Sequence, residues 1–228
     1  MKLYDYILSP SCYRVRLMAA FAGVKPELVP VDFHPGAEHR GAALRALNPR
    51  GTIPILTDGD LVLTESTAML AYIAAGWAPD WLGDDTPAMR ARVTEGLAFA
   101  QRLTESAGAA RAHDMLLAPG DIGALRRAAT AALRELEAAL SEGRRRGEAF
   151  LAGPRPTIAD LACFPHVALA PDGGLPLDAY PSIRLWMRAI RALPGFVEMP
   201  GIHRLHELMP EPGPMPQEIR RDSTEAGA

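Results

Sequence analysis

At 228 residues with 48% hydrophobic content, the chain is long enough for one large domain or two small ones, with real cores in either case. A net charge of -3, with 24 basic residues scattered among 27 acidic ones, leaves no overall basic field for nucleic acid. No apolar run approaches the roughly 18 residues of a membrane span, and the start, Met1-Lys2-Leu3-Tyr4-Asp5-Tyr6, lacks a signal peptide's uninterrupted apolar core. The expectation is therefore a soluble cytoplasmic protein without nucleic-acid or membrane partners.

Residues 2 to 7 read as a first strand. Val15, Met18 and Ala22 recur at helical spacing, as do Leu17, Phe21 and Val24, which predicts a helix from Pro10 or Ser11 to Gly23 and leaves Ser9 at a strand-to-helix junction. Leu28 to Phe33 reads as a second strand, with Pro30 demoting part of it toward an edge. A loop through His34 to Arg40 leads to a short helix ending at Leu47, which Pro49 closes. Pro54 then heads an apolar strand that an Asp58-Gly59 turn folds back onto Leu61 to Leu63, a hairpin signal. X-Pro is the one bond that is cis at low cost, and a cis Ile53-Pro54 bond would turn the N–H and C=O of Ile53 away from the sheet. That would leave a donor and an acceptor for an extended peptide ligand. Thr64 or Ser66 next caps a helix carrying Met69, Leu70, Tyr72 and Ile73.

Gly76 to Pro87 is dense in turn formers and free of helical period, so the domain boundary is placed there: residues 1–77, a linker at 78–87, and a second domain over 88–209. Residues 88 to about 112 and 121 to about 143 carry apolar helical stripes with no strand-like alternation between them. Arg144-Arg145-Arg146 ends the second of these as cations suited to a helix C-terminus. Thr157-Ile158-Ala159-Asp160 is an acidic relative of the capping box opening an apolar helix. Ser182 is expected to cap a last helix whose Ile183, Trp186, Met187 and Ile190 form one face. From Pro210 to Ala228, Pro, Glu, Gly and Ser dominate without apolar period, which predicts a disordered tail.

Two cysteines, Cys12 and Cys163, cannot form a disulfide framework or a four-thiolate metal site, and no metal is expected. Ser9-Pro10-Ser11-Cys12 has the spacing of the Cys-Pro-x-Cys redox motif with the leading cysteine replaced by serine, so no dithiol cycle can run within it. What remains is a hydroxyl beside a helix N-terminus, where free N–H groups and the helix dipole favour an anion such as a thiolate. Ser11 and Cys12 are near competitors for that role.

The run from Asn48-Pro49 through Ile53-Pro54, Asp58-Gly59 and Glu65-Ser66 resembles, in order and spacing, the glutathione-binding half of the cytosolic glutathione transferases. The Thr157-Ile158-Ala159-Asp160 segment is similar to the start of that family's central buried helix. The resemblance covers about residues 1 to 207 and implies an α/β thioredoxin-like domain followed by an all-α helical domain. It further implies that Ser9, six residues before Val15 as in the serine-type classes (phi, tau, zeta), activates the glutathione thiol. Ile53 before cis-Pro54 would pair by backbone with the cysteinyl part of glutathione, and Glu65 with Ser66 would hold the γ-glutamyl end in a buried site. His39 and Arg40 fall where phi-type enzymes contact the glycine carboxylate, and Thr52 stands where a glutamine is frequent. Implied too are glutathione as co-substrate, a small electrophile as second substrate and a homodimer. Phe99, Arg102, His113 and Met115 are candidates for the second-substrate wall. Isomerase, dehalogenase and peroxidase activities share the scaffold, and the alternative from another class is a catalytically idle binding or interaction protein.

Overall fold

The computed structural model describes residues 1–199, so the expected tail from Pro210 and the last residues of the helical domain lie outside the described residues. Strand β1 (Lys2–Asp5) pairs in parallel with β2 (Glu27–Pro30) across helix α1 (Pro10–Phe21), and antiparallel with β3 (Ile55–Asp58), which forms a hairpin with β4 (Leu61–Leu63). The strand order is β2-β1-β3-β4. Leu3 of β1 lies opposite Leu28 on one side and Leu56 on the other, and Leu3 and Leu56 are fully buried in the sheet's centre. Between β2 and β3 lies the short helix α2 (Ala42–Leu47).

Both first strands are shorter than the sequence predicts. Past Asp5 the chain turns to deliver α1, with Ser9 N–H donating to the Tyr6 carbonyl at 2.9 Å, and the ladder closes with Val31 N–H donating to the Asp5 carbonyl at 2.8 Å. Helix α1 opens with Pro10 at its first position under a Ser9 cap, and Gly23, at φ +68°, takes the left-handed conformation that ends it. Helix α3 (Ser66–Trp77) begins differently from expectation. Glu65 occupies the cap position and neither Thr64 nor Ser66 caps, because Thr64 Oγ1 accepts from Arg50 instead, at 2.9 Å.

The helical part consists of α4 (Pro87–Leu103), a π-helical turn at Thr104–Gly108, α5 (Ala109–Leu116), α6 (Ile122–Arg145), α7 (Ile158–Ala168) and α8 (Pro181–Arg191). Every residue of α7 is buried. Its Asp160 carboxylate accepts from Thr157 N–H (2.8 Å) and Oγ1 (3.3 Å), Leu151 N–H (3.0 Å) and Trp186 Nε1 (2.8 Å), tying the loop before α7 and helix α8 to one point. Ser182 does not cap α8. Tyr180 holds the cap position, Pro181 opens the helix, and the Glu137 carboxylate reaches across from α6 to accept the N–H groups of Ser182 and Ile183 at 2.9 Å each. Helix α1 packs against both α3 and α7, so one continuous apolar core runs from the sheet into the helical domain. Among the described residues no helix is long and apolar enough to cross a membrane.

Candidate functional site

The sheet topology gathers the candidate residues. Parallel pairing puts the C-terminal ends of β1 and β2 side by side, and antiparallel pairing sets the start of β3 beside the end of β1 and the end of β4 beside the start of β3. The Ser9 turn follows β1, the His39-Arg40 loop follows β2, Ile53-Pro54 precedes β3, and Glu65-Ser66 follows β4. All four segments therefore open on one end of the sheet.

At the α1 N-terminus, Ser9 Oγ accepts the Cys12 backbone N–H at 3.2 Å. An accepting hydroxyl keeps its own hydrogen free to donate, and Ser9 is only partly buried. Ser11 Oγ also accepts, from Arg14 Nη2 at 3.4 Å, which turns it toward the interior side of α1. Cys12 is fully buried, and that burial pushes its thiol up to about 12. A thiol so placed is protonated at neutral pH and is no nucleophile.

The Ile53-Pro54 bond is cis. Among the described residues the N–H and C=O of Ile53 make no hydrogen bond. Asn48 holds the approach to this bond. Its buried side-chain amide donates to Thr52 carbonyl (2.8 Å) and Oγ1 (2.9 Å), while its Oδ1 accepts Arg50 N–H (3.2 Å). Thr52 thus turns its hydroxyl inward to the loop.

Glu65 departs from the expectation of a buried carboxylate. Its side chain is 58% exposed and ion-paired with Arg50, which also donates to Thr64 Oγ1 and carbonyl (2.9 and 3.2 Å). Ser66 opens α3, so its backbone N–H has no partner within the helix. His39 is buried, its ring stacked on Phe33 at 4.1 Å, and Phe33 stacks in turn on Tyr6 at 5.4 Å. Its Nδ1 has no hydrogen-bond partner among the described residues, and burial together with the adjacent Arg40 holds its pKa below the usual imidazole range. Arg40 is exposed.

The four candidates in the helical domain fall in two places. Phe99 and Arg102 line a cavity of about 210 Å³ between α4 and α6 whose walls all come from the helical domain, where Arg102 lies over the Phe99 ring at 4.7 Å and forks onto Glu135 at 2.6 and 2.8 Å. His113 and Met115 belong to α5. That helix approaches the Ser9 turn through Arg111, which pairs with Asp172 at 3.0 Å and donates to the Leu8 carbonyl at 3.4 Å. Met115, four residues on from Arg111 and thus on the same helical face, is exposed, while His113 Nδ1 meets Asp114 at 3.0 Å.

Sequence reasoning missed Asn48, Arg50, Arg111 and a buried cluster around Arg14. Asn-Pro-Arg carried a turn signal that could have flagged the first two; Arg111 and Arg14 reach partners more than 60 residues away and leave no local trace. Among the described residues no group of three or more His, Cys, Asp or Glu side chains is placed to hold a metal ion.

A family model for the glutathione S-transferase N-terminal domain matches residues 1–75, and one for the C-terminal domain matches residues 109–189. The chain belongs to the glutathione S-transferase family. It is 31% identical to the maleylacetoacetate isomerase of Pseudomonas aeruginosa over 206 residues, 86% of this chain and 93% of that protein. It is 34% identical to glutathione S-transferase 2 of Anopheles gambiae over 194 residues, 82% and 88% of the two chains. The crystal structure of a glutathione S-transferase from Pseudomonas fluorescens superposes with a TM-score of 0.78 at 29% identity, covering 87% of this chain and 98% of that one. As in other members of this family, a thioredoxin-like domain precedes a helical one, and membership implies glutathione-dependent, transferase-type chemistry.

Proposed function

We propose that the protein binds glutathione across the shared end of the sheet and activates its thiol through Ser9 for attack on a small electrophile. In this reading the free N–H and C=O of Ile53 pair with the cysteinyl unit, and Pro54 and Thr52 form the wall beside it. Glu65 and Ser66 hold the γ-glutamyl ammonium and carboxylate, and His39 with Arg40 faces the glycine carboxylate. The thiol proton leaves to water, the Ser9 hydroxyl donates to the thiolate that remains, and the sulfur forms a bond to the electrophilic carbon as a leaving group departs with its electron pair or, in an unsaturated electrophile, as a π bond breaks and its far end takes a proton from water. The electrophile would lie between the Ser9 turn and α5, with Met115 and His113 on that helix, whereas Phe99 and Arg102 line the separate cavity between α4 and α6. The same reading takes the protein to be cytoplasmic and a homodimer.

The observation that carries this reading is the place of Ser9 Oγ on the first turn of α1, partly exposed and accepting Cys12 N–H, while burial silences the neighbouring cysteine. A hydrogen bond to a charged acceptor contributes about 1.5–3 kcal/mol, or roughly one to two pKa units. Ser9→Ala should therefore raise the bound thiol's pKa by about that much while leaving glutathione affinity nearly intact. Turnover should fall at neutral pH and partly recover as pH rises and hydroxide does what the hydroxyl did. Cys12→Ala should follow wild type apart from a packing loss. Thiolate ultraviolet absorption against pH in the complex decides it. An unchanged profile in Ser9→Ala with a shifted one in Cys12→Ala would transfer the chemistry to the cysteine.

A further inference from the structure

The first turns of α1 rest on a buried cation. Arg14 is 2% exposed, and its Nη2 contacts His166 Nε2 of α7 at 2.5 Å, Thr104 Oγ1 of the π-helical turn at 3.1 Å and Ser11 Oγ at 3.4 Å. None of these partners is a carboxylate, and Arg14 forms no ion pair among the described residues. Its Nε is buried without a partner. The imidazole accepts at Nε2 and so carries its hydrogen on Nδ1, which is likewise buried and unpaired. Burial first, then Arg14 and Arg111, keep His166 neutral by holding its pKa well below the usual range.

The remaining groups that face Arg14 do not neutralise it. Cys12 on α1 and Cys163 on α7 are both buried thiols whose pKa burial pushes up, so both stay protonated. Glu65, ahead of α3, acts on Arg14 from a distance and is already paired with Arg50 at the surface. Arg16, further along α1, pairs with Asp5 and donates to the Ile7 carbonyl at 2.8 Å. Burial lowers Arg14 only to about 10, which leaves it charged at neutral pH.

A buried charge held by neutral acceptors is costly, and a pin between two domains works as well when neutral. A cation in this position stabilises an anion that arrives from outside. Ser11, which Arg14 touches, stands two residues from Ser9, so the charge sits within about two helical turns of the hydroxyl and on the same end of α1. We infer that Arg14 is a positioning residue for the reaction, supplying from beneath the α1 N-terminus a fixed positive charge that stabilises the thiolate form of glutathione bound at Ser9. The inference rests on the glutathione reading above. His166 and Thr104 fix the guanidinium, and the π-helical turn makes room for the pair: a Cβ on Gly108 would come within 2.7 Å of His166 Nδ1.

A unit charge on the order of 10 Å from a thiol, at an effective dielectric near 20, shifts it by roughly one pKa unit. The test is the ultraviolet pH titration of glutathione bound to wild type, Arg14→Gln and Arg14→Lys, with thermal melting of each. Arg14→Gln is expected to raise the bound thiol's pKa by about one unit, and Arg14→Lys to restore most of the shift, because it keeps the charge. A pin alone would alter melting in both variants and leave the pKa in place. Should Arg14→Gln fail to fold, the double variant Arg14→Met, His166→Leu, which replaces the cluster by apolar packing, carries the same expectation. Equal bound-thiol pKa values in wild type and a folded charge-deleted variant would overturn the inference. Absence of any thiolate in the wild-type complex would overturn the glutathione reading beneath it, and is seen without any variant.

Discussion

Glu65 shows how the exposure of one side chain changes what a substitution should do. With its carboxylate more than half exposed and answered by Arg50, it contributes little to folding, since exposed ion pairs typically measure below about 1 kcal/mol. A ligand ammonium closing over the same carboxylate would find a group already oriented by Arg50, which is anchored to Thr64. Glu65→Ala should then weaken glutathione binding about 10- to 100-fold, the loss of one or two charge-assisted bonds, while the melting temperature stays near wild type. Titration calorimetry and a melt on the same samples separate the two effects. Equal affinity would remove Glu65 from the site, and a large melting shift would make it a folding residue instead.

Among the elements, α7 is the one whose start the sequence stated outright and whose surroundings it hid. Thr157-x-x-Asp160 is a local signal, because a cap and its third helical residue bond to each other whatever lies around them. The Trp186 and Leu151 bonds to the same carboxylate join residues that only the folded chain brings together. The same division runs through the rest of the molecule. The hairpin and the strand-to-helix junction at Ser9 were legible, since turn chemistry is local, while the cis bond at Ile53-Pro54 followed from the family resemblance of the run around it. The Ser182 cap was misread because Glu137, 45 residues earlier, supplies the acceptor from another helix. The π-helical turn at Thr104–Gly108 carries no residue type that marks it, and Arg14 meets His166 across 152 residues. Four donors converging on one fully buried carboxylate give a prediction at this scale. Asp160→Ala would strand Leu151 N–H, Thr157 N–H, its hydroxyl and Trp186 Nε1 without water to replace the lost acceptor. At about 1–3 kcal/mol for each unsatisfied buried group, partly relieved by relaxation, the expected loss is about 3–5 kcal/mol. Urea unfolding should show the midpoint falling with the slope unchanged. A loss under about 1 kcal/mol would mean the carboxylate is not the junction its bonds describe.

At the scale of the whole molecule, the sheet ends in an edge that the described chain leaves uncovered. β4 is the outer strand, with Leu61 and Val62 38% and 40% exposed, and Trp77 at the end of neighbouring α3 is 47% exposed. Tyr72 of α3 ties that helix to the end of β3, donating to Asp58 at 2.7 Å, and meets the Trp77 ring edge-on at 5.9 Å. An apolar edge strand beside an exposed tryptophan invites pairing with another chain unless something covers it. In the homodimer reading a second copy covers it. Light scattering at micromolar concentration should then return about 49 kDa, twice the 24.5 kDa chain. Melting should also shift upward with protein concentration, as mass action requires of a folded dimer in equilibrium with unfolded monomers. Val62→Glu places a charge on the covered edge, where desolvating it costs more than an exposed apolar contact contributes, so this variant should run as a monomer. The proposed glutathione site, which takes Glu65 and Ser66 after the end of β4, should remain intact by calorimetry if each copy carries a complete site. A monomer mass for wild type would remove the homodimer. A dimer untouched by Val62→Glu would move the interface off the β4 edge.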